Sequence, residues 1–271
     1  MKKKRLIPIL LLKNGFLVQS RKFIRHQNLG NPITAVKRLS EWASDELIYL
    51  DISKDDKYDL KRDDLHIKNI NSFLGIIEKI SKETFMPITV GGKIKKLSDI
   101  ENRLKLCADK VAINSAAVRD KNFINNASKE FGSQCIVCSI DVKKIKKNYN
   151  VFIDGGKEDT KIKMEDWIIQ VQDMGCGEIL LNSIDNDGQG QGYDCEILER
   201  VKKYIKVPLI VCGGVGENEH FEKGLEYECV DAVAAANFFH YKDQSVYFSK
   251  KYLHDKKYNI REPFLFDVVK K

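Results

Sequence analysis

The sequence comprises 271 residues, 43% of them hydrophobic and 31% charged, with 17 glycines, 5 prolines and 7 scattered cysteines. The odd, scattered cysteines form no disulfide framework, and the chain is long and apolar enough for a full core, which suits one large α/β domain or two small ones. The net charge of +7 arises from 46 basic against 39 acidic residues and includes lysine runs at 2–4, 143–147 and 250–257. No aromatics are interleaved with those runs and no helix-turn-helix or zinc-finger spacing appears. They are therefore read as solvated surface, with neither nucleic acid nor membrane expected as a partner.

The opening stretch MKKKRLIPILLLKNG imitates a signal peptide. Its apolar run, 6–12, is short, stops at Lys13 and lacks a small-residue cleavage site, so it is read as a strand. No run is long enough to span a membrane. Cys135 and Cys138 form a C-x-x-C inside an apolar strand rather than at a helix start; they read as small buried hydrophobes, and a reducing cytoplasm fits.

In chain order, short and nearly continuous apolar runs predict strands at 6–12, 47–52, 87–90, 111–114, 135–140, 179–182, 208–212 and 232–236, as expected where both faces are buried. Helical patterns alternate with them at 31–43, 72–83, 98–107, 122–131, 165–174, 196–204, 217–227 and 245–253; the first opens on Asn31-Pro32, an N-cap with proline at N1. Eight strands alternating with eight helices predict a (β/α)8 TIM barrel, an open doubly wound sheet being the alternative. Two segments interrupt the rhythm. Residues 13–30 are read as a long polar loop, and 142–163 as a hairpin turning at Asp154-Gly155-Gly156. Both follow strands, which in a barrel places them at the C-terminal, catalytic face. The tail shows only a weak apolar pattern over 263–269.

The two halves echo one another. VPLIVCGGVG (207–216) repeats the design of MPITVGGKI (86–94), ELIYLDI (46–52) that of EILLNSI (178–184), and DKVAIN (109–114) that of DAVAAA (231–236). An internal repeat of four βα units predicts a single duplicated barrel, with half-barrels at about 4–131 and 132–253 and a tail at 254–271. It also predicts two glycine-ended strands on opposite sides of one mouth, where backbone N–H groups could receive two phosphates of one ligand.

The motifs DELIYLDI (45–52), TVGG (89–92), ADKVAINSAAV (108–118), FGSQ (131–134), GEILLNSID (177–185), Asp187-Gly188 and Gly213-Gly214 occur in order. Through them the chain resembles the cyclase subunit family of imidazole glycerol phosphate synthase. The resemblance implies a half-barrel-repeat (β/α)8 protein working with a glutaminase subunit, whose ammonia passes through the barrel to a bis-phosphorylated ribonucleotide. It implies one phosphate at Gly92, Asn114 and Ser115, with Lys93 beside it. The other phosphate is implied at Asp187, Gly188, Gly213, Gly214 and Asn237. No metal or cofactor is called for.

For catalysis the resemblance implies an aspartate on the first strand and one on the fifth. The fifth-strand residue is present as Asp141, but the first-strand position is Leu11, and leucine carries no proton. Asp51, close by, is present in the family without doing that work. Gln19 replaces a usual lysine, Lys93 a usual glycine and Asn237 a usual serine.

At the opposite face Arg5, Glu46, Lys110 and Glu178 each directly precede a strand. Arg5 has the same parity as Leu11, Lys110 as Asn114, and Glu178 as Asn182. If those upper residues point inward, the four charges form a mutually neutralising ring. The resemblance makes that ring an ammonia gate and makes Asp109 a glutaminase contact. The expectation is therefore a cyclase-like subunit that still receives ammonia but has left the parent reaction, as in paralogues accompanying acetamidino-sugar formation in surface-polysaccharide pathways. The alternatives are an ordinary cyclase of histidine biosynthesis and a non-catalytic, phosphate-binding activator of the glutaminase.

Overall fold

A computed structural model describes residues 2–55, 58, 72–82, 84 and 86–265. The chain begins with β1 (Arg5–Lys13), which turns into β2 (Phe16–Arg21) and β3 (Arg25–Gly30), followed by α1 (Pro32–Glu41) and β4 (Leu47–Asp51). Next come α2 (Phe73–Ile80), β5 (Ile88–Gly91), α3 (Leu97–Leu106), β6 (Lys110–Ile113), α4 (Ser115–Arg119) and α5 (Phe123–Phe131). The second half runs β7 (Ile136–Ile145), β8 (Asn148–Ile153), β9 (Glu158–Lys163), α6 (Met164–Asp173), β10 (Glu178–Ser183) and α7 (Cys195–Val201). It ends with β11 (Leu209–Cys212), α8 (Asn218–Leu225), β12 (Ala232–Ala235) and α9 (Ser245–Asp255).

Strands β1, β4, β5, β6, β7, β10, β11 and β12 pair in that order, all parallel, and β12 returns to β1. The sheet is closed, and the alternation predicted from the sequence is a (β/α)8 barrel. Side-chain alternation splits the core in two. One set, including Leu6, Leu10, Leu12, Tyr49, Val111 and Ile179, packs outward under the helices. The other, including Ile7, Ile9, Leu11, Ile48, Ala112, Val137, Leu180, Ile210, Ala232 and Ala234, fills the barrel interior. Burying each such large side chain contributes roughly 1.5–3 kcal/mol. Helix starts are fixed locally: Asn31 accepts from the Ile33 N–H with Pro32 inside the first turn, and Ser72 and Asp194 cap α2 and α7.

Four expectations need correction. Residues 13–30 are not a loop: β2 pairs antiparallel with β1, and β3 with β2, forming a hairpin on the barrel rim. Leu17 and Val18 bury in it, but RHQNLG in β3 carries almost no apolar signal. Asn114, expected to end the strand over 111–114, lies one residue beyond β6 and leads into the short helix α4, where no helix was expected between 107 and 122. Cys135 closes a 3-10 turn, Ser133–Cys135, and only Cys138 lies in β7. Lys250 is not a solvated lysine; it is buried, with its ammonium 2.6 Å from Asp45 Oδ1 and 2.9 Å from the Ala43 carbonyl. The hairpin expected at Asp154-Gly155-Gly156 is present as β8 and β9. Glu83 and most of the apolar tail at 263–269 lie outside the described residues. Among the described residues no helix is long and apolar enough to cross a membrane.

Candidate functional site

The C-terminal ends of the barrel strands converge on a mouth with one acidic group at its floor. β1 and β7 are four strands apart in either direction around the ring, so Leu11 and Asp141 come from opposite walls. Register places Asn182 of β10 beside Asp141. Asn114 Nδ2 donates to Asp141 Oδ2 at 2.9 Å, and Asn182 Nδ2 reaches Oδ1 at 3.4 Å. Burial pushes the Asp141 carboxyl up to about 7, helped by the Asp187 charge, while the two amides pull it down. An acid so poised is half ionised near neutrality, the condition for moving a proton in either direction. At the position facing it on β1, Leu11 is 9% exposed and packs in the apolar interior.

Asp51, at the end of β4, is already engaged by its neighbours. Its Oδ1 accepts from the Ser53 N–H at 2.9 Å and from the Ser53 hydroxyl at 2.5 Å, and its Oδ2 from the Tyr58 hydroxyl at 3.0 Å. Lys93 Nζ lies 3.3 Å from the same Oδ2 and 5.5 Å above the Tyr58 ring. The lysine at this glycine position adopts φ 54°, in the left-handed region, at a cost of about 1–2 kcal/mol set against its pairing with a buried carboxylate. Its ammonium is thus directed to Asp51 and the Asp55 carbonyl. Behind it, the buried Arg103 holds the Gly92 carbonyl at 2.7 Å.

The two glycine clusters occupy corresponding ends of β5 and β11. A side chain at Gly92 would lie 2.1 Å from the Asp51 carbonyl, and one at Gly214 2.0 Å from the Gly192 carbonyl. Both positions are therefore restricted to glycine by close backbone approach as well as by positive φ. Near the first cluster, Ser115 Oγ accepts from the Asp154 N–H of the β8–β9 turn at 3.1 Å and donates to Asn114 Oδ1 at 3.2 Å. Near the second, Asp187 and Asn237 are engaged by the rim hairpin. Ser20 Oγ donates to Asp187 Oδ2 at 2.6 Å, and the Phe23 N–H reaches the same oxygen at 3.2 Å. Asn237 accepts the Ser20 N–H at 3.1 Å and donates to the Ser20 carbonyl at 2.6 Å. Gln19 faces away from this cluster, donating across the hairpin to Gln27 at 2.6 Å.

At the base of the barrel the four charges close a ring. Arg5 contacts Glu46 at 2.8 Å and Glu178 at 2.5 Å; Lys110 contacts Glu46 at 3.1 Å and Glu178 at 2.7 Å. Thr89 donates a further 2.8 Å bond to Glu46. Each cation bridges both carboxylates, so the four charges form a mutually neutralising ring. Asp109 is exposed, and its Oδ2 accepts the Ile88 N–H at 2.8 Å; Asp231 does the same for Leu209 in the second half at 3.2 Å.

A model of the histidine biosynthesis protein family matches residues 5–245. Imidazole glycerol phosphate synthase subunit HisF of Wolinella succinogenes is 39% identical over 260 residues, covering 95% of this chain and 98% of that protein. The HisF subunit of Campylobacter concisus is 40% identical over 250 residues, with 92% and 94% covered. That of Bacillus cereus is 37% identical over 259 residues, with 95% and 98% covered. The chain belongs to the histidine biosynthesis protein family.

Within the HisF-like cyclase subunits of that family, the geometry separates residues legible in sequence from those that were not. Asp141, Asn114, the glycine clusters and the four basal charges had signals: strand-end position, repeat or parity. Asn182 as a partner of Asp141, and Ser20 as the hairpin's anchor, were missed. Asn182 could have been found as the residue after three apolar positions of β10, in register with Asp141; Ser20 has no local signal at all.

Proposed function

We propose that this barrel is a HisF-type subunit that receives ammonia from a glutaminase through the ring of Arg5, Glu46, Lys110 and Glu178. Its mouth takes a phosphorylated small molecule at the two glycine clusters, and the parent cyclase chemistry has been given up. Asp109, exposed at the basal face, contacts the glutaminase. The observation that carries the reading is Leu11, which packs in the apolar interior on the wall opposite Asp141, while the neighbouring Asp51 is tied to Ser53, Tyr58 and Lys93. Opening, amination and ring closure of the parent substrate need protons moved on both sides of the ligand, and loss of one acid or base costs on the order of 10²–10⁴ in rate. A paralogue that delivers ammonia to another acceptor, such as the amidation of a surface sugar, retains a conduit without needing both acids.

A second reading, imidazole glycerol phosphate synthesis itself, is favoured by the 37–40% identity to HisF subunits along nearly their whole length and by the poised Asp141 carboxyl. One assay separates the two. Purified protein supplied with ammonium salt and the bis-phosphorylated ribonucleotide should form no imidazole glycerol phosphate, and Leu11→Asp should recover measurable turnover. Turnover by the unmodified chain at the rate of a HisF subunit overturns the proposal.

A further inference from the structure

The rim hairpin is fastened onto the second glycine cluster, not merely laid over the mouth. Asn237 pairs with both the N–H and the carbonyl of Ser20, as a strand neighbour would. The Asp187 carboxylate takes the Ser20 hydroxyl and the Phe23 N–H, and the Asp187 carbonyl takes the Lys22 N–H at 3.0 Å. Gly188 is what permits this approach: a side chain there would lie 2.3 Å from the Ser20 carbonyl. The fastening engages both polar atoms of the Asn237 side chain and Oδ2 of Asp187, groups expected to meet the second phosphate. It leaves the main-chain N–H groups of Gly188 and Gly214, neither of which donates to any group among the described residues. Gly214 is buried, and a buried N–H group is normally paired with backbone, side chain, water or ligand, so both groups are open to an anion.

The same clasp carries a cation to that place. Arg21 Nε lies 3.4 Å from the Gly188 carbonyl, and a side chain at Gly188 would come within 3.0 Å of the Arg21 Cα. The Arg21 side chain is exposed and, among the described residues, pairs with no carboxylate. A guanidinium anchored through Nε keeps its two terminal nitrogens in the planar fork that suits a phosphate.

We propose that Arg21 is a ligand of the anion held at Gly188 and Gly214, so that the hairpin supplies the cationic arm of the second phosphate site. This rests on reading the two glycine clusters as phosphate sites. The anion would accept the two backbone N–H groups from below and the guanidinium fork from above, while Asp187 and Asn237 hold the hairpin rather than the ligand.

The two clusters report separately, which gives the test an internal control. Amide resonances of the purified chain are followed by NMR during titration with inorganic phosphate. In the unmodified protein Gly188 and Gly214 should shift with one binding curve, and Gly92 and Ser115 with another. Arg21→Ala should weaken binding at Gly188 and Gly214 about tenfold and leave the Gly92 curve unchanged, with Arg21→Lys intermediate. If Gly188 and Gly214 shift in both proteins with equal affinity, the proposal for Arg21 is overturned while the phosphate sites stand. If phosphate moves neither glycine in the unmodified protein, the reading of the cluster as an anion site falls, and Arg21 with it.

Discussion

Asn114 and Asp141 meet at the ends of adjacent strands, with the amide of one donating to the carboxylate of the other at 2.9 Å. A hydrogen bond of that kind favours the charged form, yet burial outweighs it and pushes the carboxyl up to about 7. The folded value lies above the unfolded value of about 3.9. The group therefore contributes stability fully at pH below about 4 and loses it as pH rises through about 7. Asp141→Asn, which cannot ionise, should match the unmodified chain near pH 4 and exceed it at pH 8 by on the order of 2–4 kcal/mol. Denaturant melts at the two pH values check this; an equal gap at both would show that the carboxyl does not titrate between them.

The basal ring makes a different prediction. Glu178 is shared between Arg5 and Lys110, and its side chain is 5% exposed. Glu178→Gln leaves two cations facing the single carboxylate of Glu46, and stability should fall by about 1–3 kcal/mol, less than for a fully buried pair because both cations reach solvent. In complex with the glutaminase, nitrogen transfer from glutamine should change while transfer from added ammonium salt should not. Equal effects on both would remove the ring from the ammonia route.

Leu11→Asp tests how far the mouth has been refitted as apolar. The side chain packs with Ile9 and Val18 inside the barrel, so a new carboxylate there is desolvated and its pKa rises. The variant should lose on the order of 2–4 kcal/mol at pH 8 and recover part of that as pH falls and the acid becomes neutral. A loss independent of pH would mean that the position opens to water.

Gly188→Ala probes the clasp. The added methyl would sit 2.3 Å from the Ser20 carbonyl at a φ of +67°, so the hairpin must lift off. Amide hydrogen exchange at residues 16–30 should accelerate at least tenfold, while the barrel melts within about 2 kcal/mol of the unmodified chain. Unchanged protection across β2 and β3 would contradict the clasp.

Much of the barrel was legible because its strands are buried on both faces, which leaves continuous apolar runs that need no tertiary information to recognise. The hairpin was not legible for the opposite reason. β3 is polar on both sides, its only strand partner among the described residues is β2, and what fastens the hairpin at the rim is Asn237, 217 residues away from Ser20. Lys250 was misread for a related reason: a lysine in a lysine run gives no local sign that Asp45, 205 residues earlier, receives it.

The basal charges show where local pattern suffices for a site. Each stands at the start of a strand, Glu46 one residue before β4 and the others as first residues of theirs, and shares the parity of the inward residues, so alternation alone aimed Arg5, Glu46, Lys110 and Glu178 at one axis; closure of the sheet then brought them within 2.5–3.1 Å. Sequence by itself determined the alternation, the glycine-ended strands and a first strand without an acid, because all of these are read from neighbouring residues along the chain. Only the tertiary structure decided that Asp51 is already committed, that Lys93 turns to it, and that the hairpin rests on the second glycine cluster. Those outcomes depend on which distant donor reaches a buried acceptor first, and chain order carries no record of that.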